Sequence, residues 1–334
     1  MRTVLVVTTI HRPTAALRDL AAGCLEHGWD FIVAGDSKSP ADFFLEGSRF
    51  LSLQEQRSGG FRLGAAAPEK SYTRKNIAYL EAIRSGAEVI VETDDDNIPL
   101  HGFWAERRHQ VPCRSVSSSS WVNAYRYFTD GFIYPRGLPL DQARIEPPEP
   151  APAALRPCPV QQGLANDDPD VDAVYRMLHP LPFRFEKEAS PVLLEKGAWC
   201  PFNSQNTTFF SEAFPLLYLP ATCSFRMTDI WRSFIATRIL EARGIGVLFH
   251  GPTVRQERNA HDLHRDFLEE VPGYTHNAEI RSTLRGLSLR SSDSVRTMME
   301  TCYGAMIAEG WIAGEEEALL AAWFEDLSRL GTLS

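Results

Sequence analysis

Val89-Ile90-Val91-Glu92-Thr93-Asp94-Asp95-Asp96-Asn97 is the stretch on which the reading of this chain turns. A short run rich in β-branched residues reads as a buried strand, and it passes without a break into three successive carboxylates before the chain turns at Pro99. In an open parallel sheet, ligands gather beyond the carboxyl ends of the strands, so the acidic trio marks the expected site. Three adjacent carboxylates raise one another's pKa, and a hard divalent cation that takes oxygen ligands, Mg²⁺ or Mn²⁺, is their natural partner. Such a cation keeps open positions that bridge to substrate phosphates. The competing explanation is a solvated acidic turn whose aspartates cap the next helix.

Working outward, two further short apolar runs, Val4 to Thr9 and Phe31 to Ala34, join Glu88 to Glu92 as strands of a parallel α/β layer. Between them, Pro13 to His27 reads as a helix stopped by Gly28, and Thr73 to Ser85 as a second with Thr73 as cap and Gly86 as stop. Tyr134 to Pro159 holds too many prolines for a helix or a central strand and reads as an excursion near residues 134–159 inside one catalytic unit. Thr228 to Arg243 reads as a helix ended by Gly244, and Val247 to Phe249 as a short strand. The apolar spacing of Ser292 to Ala308 and Gly314 to Leu330 predicts amphipathic helices. The expected organisation is a catalytic unit over 1–270 and a helical extension over 271–334 that covers the core or forms a homo-oligomer surface.

Composition sets the class. The chain has 334 residues, 44% of them hydrophobic and 23% charged, which excludes wholesale disorder. A net charge of −9 repels polyanions, so no nucleic acid partner is expected and a phosphate site must be local. The six cysteines form no C-x-x-C pair, which reads as reduced thiols in a cytoplasmic protein. The N-terminal apolar run is too short for a signal-peptide core, and no stretch is long enough to span a bilayer, leaving only peripheral membrane contact.

Other clusters point the same way. Arg74 and Lys75 stand at a helix N-terminus, where cations are disfavoured unless a bound diphosphate uses them with the free amides; side chains pointing into solvent are the alternative. Thr8, Thr9 and Arg12 after the first strand and Asp36 after the second lie where a nucleoside sits in such a sheet, with Asp36 placed to accept from base or ribose. Neither segment carries G-x-G-x-x-G or a P-loop, which disfavours a dehydrogenase or a P-loop kinase. Amides and hydroxyls between aromatic rings suit sugars, so Asn203 and Ser204, with Trp199 upstream and Trp121 and Asn123 earlier, are candidate substrate contacts against a loop-and-core alternative. Asn166 to Asp172 is a second acidic cluster, read mainly as helix capping; Arg176 and Arg184 are candidate phosphate contacts.

The strand ending in Asp94-Asp95-Asp96, the Arg74-Lys75-Asn76 helix start and the Thr8-Thr9-Ile10-His11-Arg12-Pro13 segment together resemble a nucleotide-sugar glycosyltransferase of the GT-A fold. More closely the chain resembles the STELLO glycosyltransferase family, through Tyr72 to Tyr79, Val91 to Pro99, Trp121 to Pro135, Gln161 to Arg176, Pro201 to Thr207, Met227 to Arg232 and Arg258 to His261. These stretches span about residues 1 to 270. The resemblance implies an α/β fold, a GT-A-like Rossmannoid mixed sheet flanked by helices with a mainly helical C-terminal extension. It implies sugar transfer from a nucleoside diphosphate donor, UDP-sugar favoured, to a glycan or other hydroxyl acceptor in polysaccharide assembly. It places Asp94 and Asp95 with the donor, Asp94 on the ribose side, and Asp94 and Asp96 with Mn²⁺ or Mg²⁺, completed by His250 or His261. Asp229, at the start of a helix, takes the place of the carboxylate that removes the acceptor proton, with Arg232 one turn on as a substrate contact. A sugar nucleotidyltransferase and a non-catalytic scaffold of the same fold are the alternatives.

Overall fold

The computed structural model describes residues 1–257 and 262–332. Its strands are β1 Thr3–Thr8, β2 Asp30–Ala34, β3 Arg49–Leu51, β4 Val89–Thr93, β5 Asn97–Pro99, β6 Gln110–Val116, β7 Ala151–Pro157, β8 Val160–Asn166, β9 Val192–Leu194, β10 Asn206–Phe210 and β11 Val247–Gln256. Its α-helices are α1 Ala15–His27, α2 Leu53–Ser58, α3 Arg62–Ala66, α4 Lys75–Arg84, α5 Ala173–Leu178, α6 Thr228–Ala242, α7 Leu263–Gly286, α8 Val295–Ala308 and α9 Glu316–Arg329. The strands form one mixed sheet in the order β3-β2-β1-β4-β10-β8-β11-β9-β6-β7, with β5 paired to β11. The mixed α/β architecture with C-terminal helices is the one expected from the sequence.

The two-residue period of β1, β2 and β4 sorts their side chains to opposite faces. Leu5, Val7, Val33 and Val91 pack with Leu17, Leu20 and Cys24 of α1, while Val4, Val6, Ile32 and Ile90 pack with Ile77 and Leu80 of α4. Burial on both faces is what makes these strands unbroken apolar runs. Thr14 caps α1 by accepting from Leu17 N at 3.1 Å, and Gly28, at φ 67°, ends it in a left-handed turn open to glycine.

The antiparallel β10 enters between β4 and β8, with Asn206 opposite Thr93. It therefore brings the 201–205 loop beside the acidic turn.

Three details differ from the expectations. The proline excursion contains β7, and its prolines are tolerated because β7 is a fully exposed edge strand paired only to β6. The strand starting at Val247 continues to Gln256 through an irregularity between His250 and Val254. The helix beginning near Thr73 opens with a 3-10 turn, Tyr72–Arg74, whose cap is Ser71, accepting from Thr73 N; Thr73 is a buried member of the turn and not its cap.

The tail packs into the same apolar cluster as the core, through Met298, Cys302, Tyr303, Trp323 and Phe324. Two buried carboxylates of α9 fasten it. Glu316 accepts from Ala221 N at 2.9 Å, Thr222 N at 2.8 Å and the Tyr218 hydroxyl. Asp326 accepts from Arg62 N and Leu63 N, each at 2.9 Å, and so caps α3, whose own N-cap residue Phe61 offers no side-chain acceptor. Among the described residues no helix is long and apolar enough to cross a membrane.

Asp326→Ala strands both α3 amides and is expected to cost about 1–2 kcal/mol in urea unfolding, with Asp326→Asn, which keeps one acceptor oxygen, costing less.

Candidate functional site

The acidic turn sits where β4 leaves the sheet, and each of its carboxylates is held by a different element. Asp94 Oδ1 accepts from the Tyr72 hydroxyl at 2.8 Å and from Lys75 Nζ at 3.4 Å. Asp95 Oδ2 accepts from Thr9 Oγ1 at 2.5 Å, and its carbonyl accepts from Thr14 Oγ1. Asp96 Oδ1 accepts from Gln256 Nε2 at 3.0 Å, and Gln256 is itself oriented by Gln205 Nε2 at 2.9 Å. Burial pushes the Asp94 and Asp95 carboxyls above the ordinary range, against the pull of Lys75 and Tyr72 on the first and Thr9 on the second.

A short hydrogen-bonded path joins this turn to Asp229, in the first turn of α6. The Tyr72 hydroxyl lies 2.6 Å from Ser204 Oγ, and Ser204 Oγ and N each reach Asp229 Oδ2 at 3.2 Å. On its other side Asp229 takes both prongs of Arg136, at 3.1 and 3.0 Å, while the same guanidinium binds Asp170 at 2.8 Å twice. All three groups are buried. Burial alone would push the Asp229 carboxyl up; the charge and hydrogen bonds of Arg136 outweigh it and bring it down to about 2.

Several expected contacts lie elsewhere. Arg74 is buried and donates to the carbonyls of Gly64, Ala67 and Pro68, fastening the end of α3, so it does not reach a phosphate. Lys75 is equally buried, but its ammonium sits behind the acidic turn, on Tyr72 Oη at 2.7 Å and Thr93 O at 2.9 Å. Arg232 is locked to Glu92 at 2.7 Å beneath the site rather than lining it. Trp121 and Trp199 pack edge to face beside Phe234, and Asn123 donates to Ile133 O; all three are core. Asn203 turns its amide oxygen back to Gln205 N. Thr8 ends β1 opposite Ala34, and Thr9 orients Asp95 rather than meeting a ligand directly.

His250 faces Gly163 within the sheet, with β8 and β10 between it and β4, and burial with the nearby Arg107 charge pushes it down to about 4; it does not join the acidic turn. His261 lies outside the described residues. In the second acidic cluster Asp172 caps α5, Asp167 pairs with Arg184 and Asp168 with Arg176. Those arginines are thereby engaged within the protein.

At the ends of β2 and β3, with β1 between it and the acidic turn, a cleft of about 630 Å³ opens, lined by Asp36, Ser37, Ser39, Phe50, Ser52 and Arg57. Asp36 is fixed there by Ser71 N at 2.8 Å and Ser37 N at 2.6 Å. Arg12 stands exposed nearby, paired with Asp42.

The donor set of the turn is all carboxylate oxygen, which fits a hard cation. Among the described residues no group of three or more His, Cys, Asp or Glu side chains is placed to hold a metal by itself. A cation at this turn would thus take one or two carboxylates from the chain and further oxygens from a ligand, as Mg²⁺ does with phosphates.

Tyr72, Arg136 and Gln256 are the residues that sequence reasoning missed. Tyr72 stands three positions before Lys75, a spacing that puts both on one side of a helical turn. Arg136 falls in the proline excursion, where nothing in the pattern signals burial.

The family model of the STELLO glycosyltransferases matches residues 226–333, which include Asp229 and the helical tail. The likeness thus extends past residue 270. Over 98% of its length the chain is 30% identical to the probable glycosyltransferase STELLO1 of Arabidopsis thaliana and 28% identical to the probable glycosyltransferase STELLO2 of the same plant. It covers 44% and 45% of those proteins, so it spans less than half the length of these relatives. A solved structure titled as that of a mycobacterial protein superposes over 84% of this chain and 74% of its own, at 13% identity and a TM-score of 0.37.

The low Asp229 pKa has a consequence for acid stability. A carboxyl lower in the folded chain than in the unfolded one, where it titrates near 4, stabilises the fold above that value and loses the contribution as pH falls toward about 2. Asp229→Asn is expected to remove this acid-sensitive contribution, giving a flatter unfolding free energy as pH falls below about 4 in denaturant titrations.

Proposed function

We propose that this chain, a relative of the STELLO glycosyltransferases along almost its whole length, moves a sugar from a nucleoside diphosphate donor to a hydroxyl acceptor at the acidic turn after β4. One observation carries the reading: Asp94, Asp95 and Asp96 stand together at the end of β4, and Asp94 is joined through the Tyr72 and Ser204 hydroxyls to the buried carboxylate Asp229.

Asp96 and Asp94 would hold Mg²⁺ or Mn²⁺. That cation supplies positive charge against the charge developing on the leaving diphosphate. The chain's own residues do the rest. Asp36 and the surrounding hydroxyls receive base and ribose, with UDP the first donor to test. Thr9 keeps Asp95 and Gln256 keeps Asp96 in place. Lys75, buried behind Asp94, offsets the crowding of negative charge. Asp229, held ionised by Arg136, would accept the acceptor hydroxyl's hydrogen bond and orient it; because Arg136 weakens it as a base, the proton would pass to it only as the new oxygen–carbon bond forms and the sugar–diphosphate bond breaks, when that hydroxyl has become strongly acidic.

Thermal shift with UDP, GDP and CDP, with and without Mn²⁺, tests the donor side, because a ligand that binds only the folded state raises the transition. One diphosphate is expected to stabilise the protein in a Mn²⁺-dependent way, and Asp96→Asn to abolish that shift and lower donor turnover by about a hundredfold or more. Release of pyrophosphate from a nucleoside triphosphate, in place of diphosphate release from a nucleotide sugar, would overturn the assignment in favour of nucleotidyl transfer.

A further inference from the structure

The Tyr72 hydroxyl has more neighbours than it has hydrogens. Its oxygen lies 2.8 Å from Asp94 Oδ1, 2.6 Å from Ser204 Oγ and 2.7 Å from Lys75 Nζ. Lysine can only donate, so it occupies one tyrosine lone pair. The single tyrosine proton then goes either to Asp94 or to Ser204.

Each choice fixes the next bond. With the tyrosine proton on the Asp94 side, the 2.6 Å gap to Ser204 is filled by the serine proton. Asp229 Oδ2 then keeps only the Ser204 amide and Arg136. With the tyrosine proton turned to Ser204, the serine proton is released toward Asp229 Oδ2, 3.2 Å away. The two arrangements use the same heavy-atom positions and differ only in the direction of two O–H bonds.

We infer that Tyr72 and Ser204 are positioning residues that couple ligand binding at Asp94 to the hydrogen bonding of Asp229. The inference rests on the donor reading above. An ionised Asp94 with no ligand attracts the tyrosine proton. A donor diphosphate with its cation satisfies that carboxylate and frees the proton to turn. Asp229 then gains the serine hydroxyl as a further donor at the moment the donor sugar is in place. Both ends bias one two-position element, and by linkage a change at Asp229 must be felt in donor affinity. The Lys75 ammonium, 4.9 Å above the Tyr72 ring, and the Phe225 ring, edge-on at 6.1 Å, hold the tyrosine in register.

A double-mutant cycle read by calorimetry of Mn²⁺ with UDP tests this, with GDP and CDP as the other arms. In the wild-type background Asp229→Asn is expected to change the diphosphate Kd by about threefold or more; in the Tyr72→Phe background the same substitution should change it by less than about 1.5-fold. Ser204→Ala should erase the coupling in the same way and Ser204→Thr, which keeps a hydroxyl, should preserve it, so the test stands if Tyr72→Phe does not fold. An equal effect of Asp229→Asn in all backgrounds would mean that charge acts directly through space, and would overturn the coupling while leaving the donor reading intact. No effect of Asp229→Asn on a wild type that binds would do the same. A wild type that binds none of the three diphosphates with Mn²⁺ would end the donor reading and the coupling with it.

Discussion

A buried ammonium organises the centre of this molecule. Lys75 has no exposed surface, and an unpaired charge in that position would cost several kcal/mol, so its Nζ must be matched by acceptors. It finds them on separate segments: the Tyr72 hydroxyl, the Thr93 carbonyl at the end of β4, the Asp94 carboxylate and the Ser204 carbonyl of the loop before β10. Satisfying one cation therefore fixes where the acidic turn stands relative to the 201–205 loop, and through that loop relative to α6. The same charge lets Asp94 stay near other carboxylates that would repel it.

The surroundings of Lys75 are held from a distance. Arg74, its neighbour, ties the 3-10 turn to the carbonyls at the end of α3, and Asp326 of α9 caps the start of α3. The tail is thus bonded to the element that braces the site. A second buried pair, Glu92 with Arg232, supports the floor beneath the acidic turn, with Tyr79 completing the carboxylate's partners. Charged side chains that look from the sequence like ligand contacts are largely used in this way, as internal fasteners between strand, loop and helix.

The family likeness and the geometry bear on different parts of the chain. The family model covers α6 to α9, whereas the acidic turn and the cleft at Asp36 come from the first hundred residues. They meet at Asp229, which belongs to the matched segment and is two hydroxyls away from Asp94. That meeting joins the segment matched by the family model to the acidic turn of the N-terminal part.

Local pattern decided a good deal. The unbroken apolar runs at Val4 and Val89 read as strands buried on both faces, Gly28 and Gly86 as helix stops, and the three aspartates as a cluster at the carboxyl end of an interior strand. The prolines of 151–157 misled because a proline count excludes a central strand but not an exposed edge. Partnership was not legible: Arg232 is engaged by Glu92 far back in the chain and Trp199 packs on Trp121 and Phe234, while even Arg74, whose carbonyl partners lie within ten residues, depends on how that segment folds back; no spacing rule reaches across a β10 inserted antiparallel between β4 and β8. Sequence by itself determined the alternation of strands and helices and the place where carboxylates accumulate, because those follow from neighbours within a few residues. Only the tertiary structure decided which polar side chains are spent on partners inside the protein, because burial leaves each charge to find its partner wherever the folded chain brings one within hydrogen-bond reach.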